Sequence, residues 1–303
     1  MWRILPDWLL ASIIVLLGCT ATVLIFLFVV LVPALLKVLI PIPTWQRWMT
    51  ALLVPGVSFW AWTITRCMDL ARQPVWDVQW PPGLDPKGKY LLISNHSTWL
   101  DIPVLLRIFH GHIPFPRPFI KRQLIWLPII GFCAWALDCP FMRRHTREEI
   151  ERNPALRGKD LETTRRACEK FRHIPVTVLN YAEGTRMTEE KRIARNSPYR
   201  HLLRPKSAGV AFVLNAMGEQ FDAILDMTIA YTPGQRASFW DYLCGRVGHI
   251  YVRIEKLPVP AELIDGDYQN DPVFQRRFQQ WMTALWDRKE KLIDALHAQM
   301  QAG

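Results

Sequence analysis

The densest chemistry in the chain lies in Ser94-Asn95-His96-Ser97-Thr98-Trp99-Leu100-Asp101, which follows an apolar run ending near Ile93. A histidine five residues before an aspartate, at a strand-to-helix junction, lets the carboxylate orient the imidazole. The other ring nitrogen can then take a proton from a hydroxyl. The same residues also read as a capping box, Thr98-x-x-Asp101, with Asp101 favouring a helix N-terminus. A second patch, Tyr181-Ala182-Glu183-Gly184-Thr185-Arg186, follows the apolar run 176–179. Glycine lets backbone approach a ligand, and an adjacent arginine offers a planar fork for phosphate oxygens. An ordinary strand-end turn with a surface Glu183–Arg186 pair would have the same sequence. Phe141-Met142-Arg143-Arg144 is a third basic patch at the end of an apolar stretch.

Other candidates carry less. Ser97 beside His96 is a poor nucleophile–base pair, because adjacent residues rarely face each other and no GxSxG elbow is present. His110-Gly111-His112 has no cysteine or acid nearby to complete a ligand set, so no metal site is expected there. The six cysteines (Cys19, Cys67, Cys133, Cys139, Cys168 and Cys244) include no CxxC pair, which argues against a zinc finger and for a reducing compartment.

The elements that must hold these patches read as an α/β domain. Residues 75–80, 90–93, 176–179, 224–230 and 250–254 have the short apolar or alternating pattern of strands. Between them, residues 159–171 place Leu161, Thr164, Ala167, Cys168 and Phe171 on one helical face. Asp271-Pro272 opens a closing amphipathic helix through Phe274, Phe278, Trp281, Met282, Leu285 and Trp286.

Residues 8–36 carry no charge over 29 positions. At about 1.5 Å per residue, such a helix exceeds a hydrocarbon core of about 30 Å. A second uncharged stretch, 48–65, is interrupted by Pro55 and Gly56 and reads as a short span, a re-entrant hairpin arm or an interfacial helix. Leu16-Leu17-Gly18-Cys19 resembles a lipoprotein cleavage box, but the apolar run continues past it, unlike a signal h-region of about 7–15 residues. Six of the 14 tryptophans (Trp2, Trp8, Trp45, Trp48, Trp60, Trp62) lie near the ends of these runs, as in a headgroup layer. Lys37, Arg47, Arg66 and Arg72 follow the first run and place the bulk of the chain in the cytoplasm. Residues 1–70 are thus expected to be a membrane-anchoring segment and 71–303 a catalytic domain. The fold expected is α/β, a mixed sheet flanked by helices with an N-terminal hydrophobic helical membrane anchor. The 37 Lys and Arg against 27 Asp and Glu give a net charge of +10, which suits phosphate or anionic lipid. Dispersed positive charge on an anchored chain argues against nucleic acid.

In order and identity these patches resemble the conserved blocks of the glycerolipid acyltransferase family, typified by 1-acylglycerol-3-phosphate acyltransferase. Asn95-His96 with Asp101 resembles the NHxxxxD block, Phe141 and Arg144 the second block, and Glu183-Gly184-Thr185-Arg186 the EGTR block. Residues 224–231 occupy the place of the fourth, apolar block, and the likeness runs over about residues 75–255. Lys206-Ser207-Ala208-Gly209 and Asp226-Met227-Thr228-Ile229-Ala230-Tyr231 are most similar to a bacterial inner-membrane branch and to the lysocardiolipin acyltransferase branch. Phe119-Ile120-Lys121-Arg122 also resembles the second block, but Arg144 follows the longer apolar stretch 124–137 and is preferred. Departures at Ala182, Met187 and Arg143, and a fourth block without its usual proline, bear on the acceptor headgroup.

The resemblance implies that His96 is a general base on a lysophospholipid hydroxyl and that Asp101 orients it. Asn95, Arg144, Glu183, Gly184, Thr185 and Arg186 are implied to bind the acceptor. The acyl chain is implied to come from acyl-CoA or acyl carrier protein as co-substrate, with no metal and no other cofactor. Free imidazole titrates near pH ~6.5, so activity is expected to fall on acidification. The bacterial inner membrane, with the catalytic domain on the cytoplasmic side, is the implied location. A lipid-binding scaffold without turnover is the competing class, and it has no need for His96, Asp101, Glu183 and Arg186 together.

Overall fold

The computed structural model describes residues 5–126, 130–137, 139, 141–142, 152, 159–172, 174–234 and 237–302. The chain opens with α1 (Asp7–Ile25), a wider helical segment (Phe26–Leu31) and α2 (Val32–Leu39). Together they form one apolar helix of 33 residues, Asp7–Leu39, long enough to cross a membrane. Proline fixes a helical φ at the first position of α3 (Pro43–Met68), which runs back alongside. Trp60 Nε1 donates to Thr22 Oγ1 at 3.0 Å, and Trp45 Nε1 to the Leu36 carbonyl at 3.0 Å near the turn. A Cβ on Gly56 would lie 2.6 Å from Val29 Cγ1, so glycine permits the close approach of the two arms. Residues 48–65 lie within this second helix, Pro55 and Gly56 included.

The remaining elements are β1 (Val75–Gln79), β2 (Lys89–Ser94), α4 (Asp101–Phe109), β3 (Pro116–Pro118), β4 (Ile120–Lys121), α5 (Ile130–Ala136) and β5 (Phe141–Met142). They are followed by α6 (Lys159–Glu169), β6 (Val176–Tyr181), α7 (Glu189–Ala194), α8 (Ser207–Met217), β7 (Ala223–Tyr231), α9 (Phe239–Leu243), β8 (His249–Leu257) and α10 (Pro272–Ala302). Six strands form a mixed sheet in the order β1-β8-β7-β2-β6-β3, parallel throughout except at β7/β8. Ser94 pairs with Tyr181 on one side and Met227 on the other, so the loops after β2 and β6 leave one carboxyl edge beside the end of β7. Open α/β sheets bind ligands at such an edge.

Both faces of the sheet are covered, which is why its central strands read as apolar runs. Tyr90, Leu92, Leu225 and Met227 pack against α4, while Leu91, Ile93, Val178 and Ile224 pack against α6, α8 and α10. On α6 the expected face is seen at Thr164, Cys168 and, just beyond it, Phe171, all buried. Asp271 caps α10 by accepting from the N–H groups of Val273 (2.8 Å) and Phe274 (3.2 Å). Phe278, Met282, Leu285 and Trp286 are then buried in order, each such side chain contributing about 1.5–3 kcal/mol. Buried Lys289 pairs with Asp226 at 2.6 Å and fixes α10 to β7.

The base of the hairpin is not separate from the domain. Leu10, Ala11 and Ile14 share a core with Leu105, Phe109 and Leu225. Further out, Val30, Ala34, Leu53 and Val57 pack with Ala134, Leu137 and Cys139. The short strand β3 was not legible as one, because prolines at both ends remove ladder donors; it is tolerated at the sheet edge.

Candidate active site

The loop after β2 is fixed first by Asn95. Its side chain is buried, accepts the Ile229 N–H at 2.9 Å and donates to the Ile229 carbonyl at 2.9 Å. The family resemblance implies an acceptor-binding Asn95; in the structure its amide is paired with the backbone of β7, which holds the loop in place.

With the loop held, His96 Nδ1 lies 2.8 Å from Asp101 Oδ2. The Asp101 side chain is 1% exposed and that of His96 13%, so the carboxylate is enclosed while the ring reaches the surface. Asp101 Oδ2 also accepts the N–H groups of Ser97 (2.7 Å) and Thr98 (3.0 Å), and Oδ1 accepts the Tyr231 hydroxyl at 2.7 Å. A buried carboxylate with this many donors is held in one orientation. The bond from Thr98 N–H is half of the expected capping box. In place of the other half, the Thr98 hydroxyl accepts the Leu100 N–H at 3.4 Å and donates to the Ala237 carbonyl at 2.6 Å. One carboxylate therefore both braces the helix entry and aims the imidazole. The Tyr181 ring stacks on His96 with centroids 4.1 Å apart. Burial, with the Asp101 charge behind it, pushes the Tyr181 and Tyr231 hydroxyls well above the usual phenol range, so both stay neutral.

The loop after β6 is tied to the first by the Met187 N–H, which donates to the His96 carbonyl at 2.7 Å. Gly184 turns the chain with φ +68°, a conformation that side chains disfavour. Thr185 Oγ1 accepts from Lys191 Nζ at 3.0 Å. The surface Glu183–Arg186 pair does not occur. Glu183 is fully buried, and the Arg186 guanidinium lies over the Trp99 ring, 4.4 Å from its centroid. The backbone N–H groups of Leu203 and His96 lie close enough to favour a Glu183 anion, yet both carboxyl oxygens lack hydrogen bonds of ordinary geometry. Burial prevails and raises the Glu183 carboxyl to about 8, leaving it mostly protonated at neutral pH.

This has a sign. In the unfolded chain Glu183 ionises near its ordinary value of 4.5, while the folded protein keeps the proton to about 8. The folded state binds more protons across that window, so the contribution of Glu183 to stability falls as pH rises through it. Glu183→Gln is expected to melt above wild type at pH 8–9 and to converge with it near pH 5, as thermal unfolding across pH would show. A constant difference would contradict the raised value.

Arg144 lies outside the described residues. The described parts of the two candidate second blocks are paired strands: β4 runs parallel to β5, with Ile120 opposite Phe141 and Lys121 opposite Met142. Sequence reasoning missed Tyr231, Tyr181 and Trp99 as partners of the site. Tyr231 is 130 residues from Asp101, and only the register of β7 against β2 brings them together.

A histidine aimed by a buried carboxylate, beside an arginine with no acidic partner among the described residues, defines a centre that can activate a hydroxyl next to an anion. Comparison with known proteins gives that class a family. The Acyltransferase family profile matches residues 77–232, just over half of the chain, and the chain belongs to that family. It is 24% identical over 244 residues to mouse (Mus musculus) 1-acyl-sn-glycerol-3-phosphate acyltransferase gamma, covering 76% of this chain and 58% of that protein. It is 21% identical over 267 residues to mouse lysocardiolipin acyltransferase 1, covering 84% and 65%. The chain thus spans less than two thirds of either relative. The crystal structure of the 1-acyl-sn-glycerophosphate (LPA) acyltransferase PlsC from Thermotoga maritima superposes with a TM-score of 0.52 over 94% of this chain and 98% of that one. At 15% identity this likeness establishes the shared fold.

Proposed function

We propose that the protein is a membrane-bound O-acyltransferase that moves an acyl chain from acyl-CoA or acyl carrier protein to the free hydroxyl of 1-acylglycerol-3-phosphate, giving phosphatidic acid. The observation that carries this reading is the 2.8 Å contact between His96 and the enclosed Asp101 at the carboxyl edge of the sheet. With Nδ1 committed to Asp101, Nε2 takes the hydroxyl proton as the oxygen attacks the thioester carbonyl. The carbon–sulfur bond breaks, the imidazolium returns the proton to the leaving thiolate, and an ester and a free thiol result. Asp101 stabilises the transient imidazolium. Arg186 holds the acceptor phosphate, and Arg144 is proposed to join it. Fixing the acceptor beside the base turns a two-substrate encounter into a local reaction. Glu183, Gly184 and Thr185 shape the loop that presents Arg186.

Lipid contact is supported by the apolar outer face of the hairpin, where Leu16, Phe28, Leu39 and Trp48 are all exposed. Lys37, Arg47, Arg66 and Arg72 favour a cytoplasmic catalytic domain. The likeness to lysocardiolipin acyltransferase 1 favours a second acceptor reading, a larger lysophospholipid. Membranes containing the wild-type protein, given a panel of lysophospholipids with acyl-CoA or acyl carrier protein and read by product mass, distinguish the two. The account expects phosphatidic acid as the main product. Preferred acylation of another lysolipid would move the acceptor, and transfer to none would favour a lipid-binding scaffold.

A further inference from the structure

Trp99 is the second residue before Asp101 and is 59% exposed. One face of its ring carries the Arg186 guanidinium, 4.4 Å from the centroid. No hydrogen bond or ion pair to that guanidinium occurs among the described residues. The two residues come from different strand-end loops, joined by the Met187 N–H to His96 carbonyl bond at 2.7 Å. A guanidinium held over an aromatic face by cation–π attraction still has N–H donors to offer to phosphate oxygens.

We propose that Trp99 is a positioning residue for acceptor recognition: it holds the Arg186 guanidinium in place so that its N–H groups meet the acceptor phosphate beside His96. This rests on the acyl-transfer reading above and adds a residue that the block pattern leaves unspecified. An unsupported arginine would sample many rotamers and lose that freedom on binding, whereas one held on an indole has lost part of it already.

The test is steady-state kinetics in detergent micelles with acyl-CoA and 1-acylglycerol-3-phosphate, comparing wild type, Trp99→Ala, Trp99→Phe and Arg186→Ala. Trp99→Ala is expected to raise the acceptor KM about three- to fivefold, the size of an exposed cation–π contact. The acyl-CoA KM and kcat should change by less than the acceptor KM, and Trp99→Phe should recover most of the loss. Arg186→Ala should raise the acceptor KM further. An unchanged acceptor KM in Trp99→Ala, with a raised one in Arg186→Ala, overturns the role of Trp99 and leaves the acyl-transfer reading standing. A comparable rise in both substrates' KM values that phenylalanine does not rescue assigns Trp99 a general structural role and also overturns the inference. If Arg186→Ala leaves the acceptor KM unchanged, the phosphate-binding reading itself fails.

Discussion

Replacing His96 by glutamine or alanine is expected to lower kcat for acyl transfer about 10²- to 10⁴-fold, the usual contribution of a positioned general base. The two variants separate proton transfer from structure. Glutamine retains a polar group that can donate toward Asp101, but it cannot take a proton from the attacking hydroxyl. Alanine also removes the ring that stacks on Tyr181 at 4.1 Å. Equal loss in both assigns the effect to the missing base. Asp101 keeps the Ser97, Thr98 and Tyr231 donors in either case, so the fold is expected to survive, as thermal unfolding would check. A glutamine variant within a few-fold of wild type would remove His96 from the chemistry.

Asp101→Asn is expected to cost a similar factor, about 10²- to 10⁴-fold in kcat, by a different route. The amide oxygen can occupy the place of Oδ2 and accept the Ser97 and Thr98 N–H groups. Its NH₂ then faces the Tyr231 hydroxyl, which can rotate to accept. The loop is therefore largely preserved, but the negative charge that stabilises the imidazolium is gone. Asp101→Ala makes the contrast. It leaves two backbone N–H groups and a buried hydroxyl without acceptors, at about 1–3 kcal/mol each, and should lower the melting temperature as well as the rate. Asparagine that melts near wild type and is nearly inactive supports the orienting and electrostatic role; asparagine that is active contradicts it.

How far the site could be read in advance depended on distance along the chain. His96 and Asp101 are five residues apart across a strand-to-helix junction, so local geometry alone brings them together. The strands β1, β2, β6, β7 and β8 were legible because each is a short run with a pattern of burial, and the closing helix because its apolar spacing begins at a capping aspartate. The role of Asn95 was partly legible: its place in the block was clear, but its pairing with Ile229 depends on β7 lying beside β2. Tyr231, Tyr181 and Trp99 were hidden for a related reason, since their contacts with Asp101, His96 and Arg186 depend on which strands and strand-end loops are neighbours. The burial of Glu183 also could not be read from a Glu-Gly-Thr-Arg run, where charge spacing favours a surface pair. The hairpin's second arm was ambiguous because Pro55 and Gly56 are usual helix breakers. The structure keeps both inside α3, where Gly56 permits the close contact with Val29 in the wider segment between α1 and α2.

The most direct test of the central claim is acyl transfer from acyl-CoA to 1-acylglycerol-3-phosphate by wild type and His96→Gln side by side, with product mass and free thiol measured in the same reaction. One phosphatidic acid is expected for each thiol released by wild type, with both lowered together about 10²- to 10⁴-fold in His96→Gln. Equal product from both proteins, or thiol release by wild type without an acylated acceptor, would contradict it.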